Sequence, residues 1–185
     1  MLQSAAGGDL GVESLLKGLR MSQSCYILAR ALKLDDDICE QVRLASPMQD
    51  IGSIAIPDRI LQKNGRLSYE EREIIKMHVL AGDEILAGQE GEVPAMARLI
   101  ARHHHERWDG NGYPEGLAGD NIPLVARIAA ICDVFDALTT ERPHKAAWVV
   151  DDAIEEIRTR SGSHFDPDIV PIFIDSIPDI LASRV

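Results

Sequence analysis

The sequence predicts an all-α fold, and three observations favour it. Aromatic residues make up only 4% of the chain while hydrophobic residues make up 45%, with many Ala, Ile and Leu, a composition that favours helices over sheets. Apolar residues in the first long segment recur at helical spacing. A capping box, the sequence signal of a helix N-terminus, precedes a later apolar segment. The length of 185 residues corresponds to one domain. A domain of this size can bury a hydrophobic core without stabilising disulfides or structural metals.

The chain begins with a segment that differs from the rest. Residues 1–10 are small and glycine-bearing, and they are interpreted as an N-terminal tail or linker remnant, so that the single domain comprises residues 11–185. Apolar residues at helical spacing then predict a first helix over residues 11–34. The acidic residues 35–37 interrupt the pattern and end that helix.

A second helix and an irregular connection are expected next. Asp36 or Asp37 can cap the second helix, which is expected to end around Ser46, just before a proline. The following apolar stretch contains Gly52 and Pro57. Both residues are poorly suited to a strand, so the stretch predicts a short connection with one turn of helix.

The middle of the chain predicts two more helices and a long loop. Ser68 and Glu71 have the spacing of a capping box, in which the hydroxyl and the carboxylate satisfy each other's backbone donors. We therefore expect a helix over residues 68–87. Pro94 fits the first turn of the next helix, which leads into a run of histidines. The loop over residues 108–121 is unusually long for a compact domain, which indicates a functional role.

The last third predicts a buried central helix and a closing pair. Residues 123–140 are apolar on nearly every face, which is typical of a buried helix. Asp133 and Asp136 lie within it, and buried carboxylates need paired or metal partners. Two further helices are expected over residues 145–160 and 167–182. The last one contains two prolines that are expected to kink or split it, Pro171 and Pro178.

Composition limits the classes of function. The net charge of −11 argues against a surface for nucleic-acid polymers, which needs clustered Lys and Arg. Three cysteines in apolar surroundings are typical of reduced core thiols and predict a cytoplasmic protein: Cys25, Cys39 and Cys132. No apolar run approaches the length of a membrane span, so no membrane association is expected.

The segment A-R-H-H-H-E-R-W-D-G-N-G-Y-P, residues 101–114, has the composition of a functional site. Neutral imidazole is a common ligand for transition metals. Adjacent helical side chains point about 100° apart, so His104 and His105 can share an ion only off the end of a helix or in a groove beside it.

Taken together, the motifs resemble the HD-GYP family of bacterial signalling phosphodiesterases. They occur in this order: H-H-E-R-W-D-G-N-G-Y-P, I-P-L-V-A-R-I-A-A-I-C-D-V-F-D-A-L-T, E-R-P-H-K-A-A-W and S-G-S-H-F-D-P. The resemblance implies an HD-type bundle of about seven helices that cleaves cyclic di-GMP with two or three iron or similar ions. It also implies an upstream receiver or sensor domain.

Two motifs of that family are altered in this chain. The helix-one motif falls on Glu13, Lys17 and Arg20, so lysine replaces a ligand histidine. The H-D-I-G-K signature falls on residues 49–53, where Gln49 replaces the histidine and Ser53 replaces a phosphate-contacting lysine. The metal-bridging aspartate of the signature is retained as Asp50.

The remaining ligand positions match the family. The resemblance implies one metal position built from Asp50, His78, His104 and His105, which holds one divalent ion such as iron, manganese or zinc. The neighbouring position would use the bridging Asp50, Asp133 and the two replaced histidines, and it is predicted to be empty. Glu13 is a further candidate metal residue.

Two further regions match ligand-contacting or partner-contacting segments of the family. Arg142 and Lys145 either contact the phosphates of a cyclic dinucleotide or form an ordinary helix start with solvated charges. The signature loop either docks a diguanylate cyclase (GGDEF) partner or packs on its own domain; it comprises Trp108, Asp109, Gly110, Gly112, Tyr113 and Pro114. His103 and His164 are interpreted as structural.

These replacements predict a degenerate member of the family. An ammonium has no lone pair and cannot act as a ligand, but Lys17 can supply positive charge beside Asp50 and Asp133. Our hypothesis is that Lys17 substitutes for the second ion, whereas the alternative is that it points into solvent. The domain would then act as a regulatory or binding module with lost or much weakened hydrolysis. The alternatives are a residual phosphodiesterase with a mononuclear centre and a scaffold without metal.

Overall fold

The computed structural model describes residues 5–63, 65–141 and 146–184, and in those ranges it contains nine α-helices and no β-strand. The all-α prediction is therefore confirmed. The helices are α1 (Ala5–Ala31), α2 (Asp36–Ala45), α3 (Asp58–Leu61), α4 (Tyr69–Lys76), α5 (His78–Ala87), α6 (Glu92–His103), α7 (Leu124–Thr139), α8 (Val150–Thr159) and α9 (Ile169–Ala182).

Helix α1 is the longest element and packs against α2, α7 and α9. It begins at Ala5, within the segment interpreted as a tail, so that segment contributes to the helix. Met21, Cys25 and Leu28 bury one face of α1 in the core. Lys17, near the middle of this 27-residue helix, reaches the candidate site described below.

Helix α2 lies where it was predicted, but its cap differs. Asp35, not Asp36 or Asp37, occupies the N-cap position, and its side chain makes no capping hydrogen bond. Asp36 and Asp37 instead lie in the first turn, where carboxylates interact favourably with the helix dipole. Two 3₁₀ helices, Ser46–Met48 and Ile51–Ala55, form the irregular connection that follows.

The helix predicted over residues 68–87 is divided at Met77. The capping box of Ser68 and Glu71 is present and starts α4 as expected. At Met77 the helix tightens, because its N–H bonds to the carbonyl of Ile74, three residues back. A new helix, α5, then begins at His78. Sequence periodicity continues through such a break, so it gave no signal of it.

Helix α7 is central and buried, as predicted, and contacts α1, α6 and α8. The prolines of the last helix do not split it: Pro171 lies in its first turn, and Pro178 lies inside a continuous α9. A membrane-crossing helix would have to be long and apolar, and none of the helices in the described residues meets both conditions.

Candidate metal centre

A very close approach of two elements brings the first two site residues together. A Cβ atom added to Gly52 would lie 2.0 Å from the carbonyl oxygen of His78 and 2.4 Å from the backbone nitrogen of Gly82. Only glycine allows the 3₁₀ helix Ile51–Ala55 to cross α5 at this distance. The crossing places Asp50, which directly precedes the 3₁₀ helix, beside His78 at the start of α5.

Four side chains converge at this crossing: Asp50, His78, His104 and His105 each offer one ligand atom, and these atoms lie within 4.8 Å of one another. His104 caps the C-terminus of α6, and His105 follows it in the loop. The adjacent histidines therefore lie off the end of a helix, the arrangement in which both can face one ion. The rings of His104 and His105 have their centroids 4.0 Å apart.

Backbone carbonyls orient two of the imidazoles. The Nδ1 atom of His78 lies 2.7 Å from the carbonyl oxygen of Ile75, and that of His104 lies 3.0 Å from the carbonyl oxygen of Ile100. A carbonyl only accepts hydrogen bonds, so Nδ1 carries the proton and Nε2 keeps its lone pair in the neutral ring. Second contacts of this kind commonly fix the tautomer of metal-binding histidines.

The donor set fits a divalent metal ion. The Nε2 atoms of His78 and His104 are buried and lack a hydrogen-bond partner among the described residues. Each lies 3.6 Å from Oδ1 of Asp50, so lone pairs of nitrogen and oxygen face one another. A cation at this point would relieve that repulsion, and imidazole with carboxylate is a common shell for zinc, iron and manganese.

Two of the histidines, His78 and His105, are in the neutral form that a metal ligand requires. Burial lowers the pKa of His78, and it lowers the pKa of His105 to about 2, helped by the neighbouring histidines. These rings are therefore neutral near pH 7, which leaves their nitrogen lone pairs available for a metal.

Beside the cluster, Lys17 and Gln49 bind two carboxylates. The Nζ atom of Lys17 lies 2.7 Å from Oδ2 of Asp50 and 2.8 Å from Oδ1 of Asp133. Gln49 is buried, and its Nε2 donates to Oδ1 of Asp133 at 2.7 Å and more weakly to Oδ2 of Asp50 at 3.4 Å. Lys17 thus points into the site and not into solvent, and Asp133 is paired, as its burial required.

The charges around Lys17 stabilise one another. Burial alone would lower the pKa of Lys17, but the nearby carboxylates of Asp133 and Asp50 outweigh it and hold that pKa above its usual value. Burial alone would raise the pKa of Asp50, but the adjacent Lys17 ammonium helps to hold it well below its usual value. The cluster therefore contains a lysine ammonium and ionised aspartate at neutral pH.

The structure does not bring Glu13 into the cluster. Its half-exposed carboxylate accepts a hydrogen bond from Nη2 of Arg20 at 2.8 Å. Arg20 in turn binds the buried Asp136 from its Nε atom at 2.6 Å. Glu13 and Asp136 are therefore charge partners of an arginine, one turn of α1 away from Lys17.

The buried carboxylate of Glu106 anchors the signature loop by hydrogen bonds. This residue was not identified from the sequence. Its carboxylate accepts the backbone N–H groups of Glu115 at 2.8 Å and Leu117 at 3.0 Å. Burial raises the pKa of this carboxyl. Gly112 lies where a Cβ would be 2.4 Å from the nitrogen of Arg107, so the loop folds tightly over the segment that contains Glu106. A single glutamate in a charged loop carries no distinctive sequence signal.

The aromatic residues of the signature loop pack on the domain. Tyr113 stacks on the ring of His105, with centroids 4.8 Å apart, and its N–H donates to the carbonyl of His105 at 3.3 Å. Trp108 is half-buried, with the guanidinium of Arg127 over its ring, and its N–H donates to the carbonyl of His164. Of the two interpretations of this loop, packing on its own domain is the one that the geometry favours.

The remaining predicted residues fall into two groups. His103 lies outside the cluster, with Nδ1 3.0 Å from the carbonyl oxygen of Leu99, and Ser53 is half-buried in the 3₁₀ helix that follows Asp50. Arg142 and Lys145, the predicted phosphate contacts, lie outside the described residues.

Comparisons with known proteins all identify the same family. The model of the HD domain family matches residues 12–169. The cyclic di-GMP phosphodiesterase response regulator RpfG of Xanthomonas campestris is 43% identical over 162 residues, which cover 88% of this chain and 42% of that protein. The 3'3'-cGAMP-specific phosphodiesterase 2 of Vibrio cholerae is 40% identical over 165 residues, which cover 89% of this chain and 32% of that protein. The chain thus spans less than half the length of these relatives.

Two solved structures share the fold. A cyclic GMP-AMP specific phosphodiesterase of V. cholerae, V-cGAP3, aligns with a TM-score of 0.66 and 22% identity, covering 91% of this chain and 49% of that one. An HDG"Y"P protein from Bdellovibrio bacteriovorus aligns with a TM-score of 0.69 and 18% identity, covering 88% of this chain and 51% of that one. The helical bundle described above is therefore an HD-domain fold.

Proposed function

The chain belongs to the HD-domain family, in its HD-GYP branch of cyclic-dinucleotide phosphodiesterases, and from that premise we propose that it is a degenerate HD-GYP output domain. It keeps the bundle and one metal position. It acts as a regulatory or binding module in cyclic di-GMP signalling, with hydrolysis lost or much weakened.

One observation carries this proposal. Where the family places two ligand histidines, this chain has Lys17 and Gln49, and both are hydrogen-bonded to the aspartates of the site. The intact half consists of Asp50 and the three histidines at positions 78, 104 and 105. The site thus keeps the donors for one divalent ion and has replaced two nitrogen donors of the other with a cation and an amide.

The chemistry of the site follows from this division. A divalent metal held by Asp50 and the histidines would supply a Lewis acid at the site. His78 and His104 would hold it through Nε2, because their Nδ1 atoms are engaged by backbone carbonyls. Two-metal phosphodiesterases offset charge on both the attacking and the leaving oxygen, whereas one ion and an ammonium already paired with two aspartates offset less. Ser53 adds no charge for a phosphate.

A second candidate function is residual phosphodiesterase activity through a mononuclear centre. The arrangement of Nε2 atoms around Asp50 favours it, because this half of the site retains a complete donor set. Relatives that cover most of this chain are named for hydrolysis of cyclic di-GMP or of 3'3'-cGAMP. Either nucleotide is thus a candidate ligand or substrate, and the metal is a single iron, manganese or zinc ion.

The biological setting follows from the family. We expect an upstream receiver or sensor domain in the full-length protein, since one relative is a response regulator more than twice as long as the matched region. A GGDEF protein is a candidate partner that the family resemblance implies. Three buried free cysteines favour a reducing compartment, the cytoplasm.

The deciding experiment measures turnover of cyclic di-GMP and of 3'3'-cGAMP by wild-type protein with iron, manganese or zinc added. The proposal predicts metal binding at the cluster with no turnover or very slow turnover. Clear turnover that His104→Ala abolishes and His103→Ala spares would establish the second candidate function instead. Absence of metal binding under every condition would leave only a scaffold.

A further inference from the structure

Building on the proposed function, we propose that Lys17 is a positioning residue for the remaining metal centre. Its ammonium, together with the Gln49 amide, permanently occupies the place of a second ion and fixes Asp50 so that its other oxygen faces the histidines. The site then keeps its shape without metal and accepts one ion, not two.

The two oxygens of Asp50 have separate partners. Oδ2 receives the Lys17 ammonium at 2.7 Å and lies 3.4 Å from Nε2 of Gln49. Oδ1 lies 3.6 Å from Nε2 of both His78 and His104. Hydrogen bonding on the Oδ2 side therefore sets the carboxylate plane, and with it the direction in which Oδ1 faces the imidazoles. Partners of this kind orient ligands in metal sites generally.

Lys17 also holds two carboxylates that would otherwise repel each other. Its Nζ atom lies within 2.8 Å of an oxygen from each of Asp50 and Asp133, and its side chain is only 26% exposed. Two like charges in a partly buried site are costly unless a cation lies between them. An ammonium supplies that charge through three donors and, having no lone pair, cannot also bind a metal.

Gln49, at the position of the second replaced histidine, binds the same aspartate as Lys17. Its side chain is buried, and its Nε2 donates to Oδ1 of Asp133, the oxygen that Lys17 also contacts. Its Oε1 is buried and lacks a hydrogen-bond partner among the described residues. The hydrogen bond to Asp133 thus orients the Gln49 amide, and this orientation leaves the amide oxygen without a donor among the described residues. Together the ammonium and the amide fill the space beside Asp133, and a second cation would have to displace both.

Thermal unfolding in excess chelator tests the metal-free role of Lys17. Lys17→Met leaves Asp50 and Asp133 without their cation, so we expect the midpoint to fall by about 6 °C or more. Lys63→Met is the matched control, since Lys63 binds Glu71 on the surface, and its midpoint should change by about 2 °C or less. Equal shifts for the two variants would overturn the proposal.

Metal stoichiometry tests the occupancy. We expect one ion per wild-type chain after loading with excess manganese or zinc and removal of unbound metal. Lys17→His combined with Gln49→His should bind two. Two ions in the wild-type protein, or one in a folded double variant, would overturn the proposal. If the double variant does not fold, the wild-type count and the chelator experiment still decide.

These results separate this proposal from the proposed function. The chelator experiment involves no metal and no nucleotide, so it can fail while the domain binds its single ion. Conversely, turnover of a cyclic dinucleotide by a one-ion protein would contradict the regulatory function and leave the role of Lys17 intact.

Discussion

Arg20 of α1 holds Asp136 of α7 through two hydrogen bonds, from Nε to Oδ1 at 2.6 Å and from Nη2 to Oδ2 at 3.2 Å. The pair lies one helical turn from Lys17 on α1 and one turn from Asp133 on α7. Two successive layers of charge pairs thus join the same two helices. The arginine pair, the more buried of the two, fixes the register in which Lys17 meets Asp133.

The first prediction concerns this arginine. Arg20→Met leaves the buried carboxylate of Asp136 without its main partner, and we expect a loss of about 3 kcal/mol in the free energy of unfolding. Urea unfolding at pH 7 measures it. Arg43→Met is the control, because Arg43 pairs with Glu40 on the surface of α2 and should cost about 0.5 kcal/mol. Similar losses in the two variants would contradict a structural role for the pair.

The second prediction distinguishes adjacent histidines. His104→Ala removes a buried Nε2 from the cluster, and we expect metal affinity to fall at least about 100-fold. His103→Ala should retain wild-type affinity, because His103 faces Glu115 and the carbonyl of Leu99. Competition with a chromophoric chelator gives both affinities. Equal losses would show that the ion does not bind at the cluster.

The third prediction concerns the helix crossing. Gly52→Ala places a methyl group against the backbone of α5 at His78, so the two elements must separate. We expect a loss of about 3 kcal/mol in stability and weaker metal binding, since Asp50 moves away from His78. Gly88→Ala, where a Cβ meets nothing within 4 Å, is the control. Circular dichroism during urea unfolding gives the comparison, and a stable Gly52→Ala variant with normal metal affinity would refute the crossing.

The fourth prediction concerns the signature loop. Glu106→Ala deprives the N–H groups of Glu115 and Leu117 of their acceptor, which we expect to cost about 3 kcal/mol and to loosen the loop. Hydrogen exchange should quicken at residues 115–117. Glu155→Ala, which removes a surface carboxylate near Arg158, should leave exchange in the loop unchanged. Unaltered protection of the loop in Glu106→Ala would argue against this anchor.

Local sequence signals predicted the parts of the fold that local forces determine. The capping box at Ser68 and the buried pattern of α7 each involve neighbours within a few residues, and both are present. The break at Met77 was not predictable, because it accompanies the tertiary contact of α5 with the 3₁₀ helix at Gly52. Periodicity records which residues are apolar and does not record where another backbone crosses.

The same contrast between local sequence signals and tertiary contacts applies to the residues of the site. The family resemblance implied that Asp50 and the three histidines share one metal position, and the structure brings their ligand atoms together. The requirement that buried carboxylates be paired applied to both Asp133 and Asp136. It did not identify Arg20 as the partner of Asp136, since the two residues are 116 positions apart. Glu106 was missed because its partners are backbone N–H groups, which every loop residue offers.

The most direct test of this account is anomalous diffraction from crystals of the wild-type protein grown with manganese or zinc. The account predicts one ion per chain, bounded by Asp50, His78, His104 and His105, with the Lys17 ammonium still between Asp50 and Asp133. Two ions that share Asp50, with Lys17 displaced from the site, would contradict it.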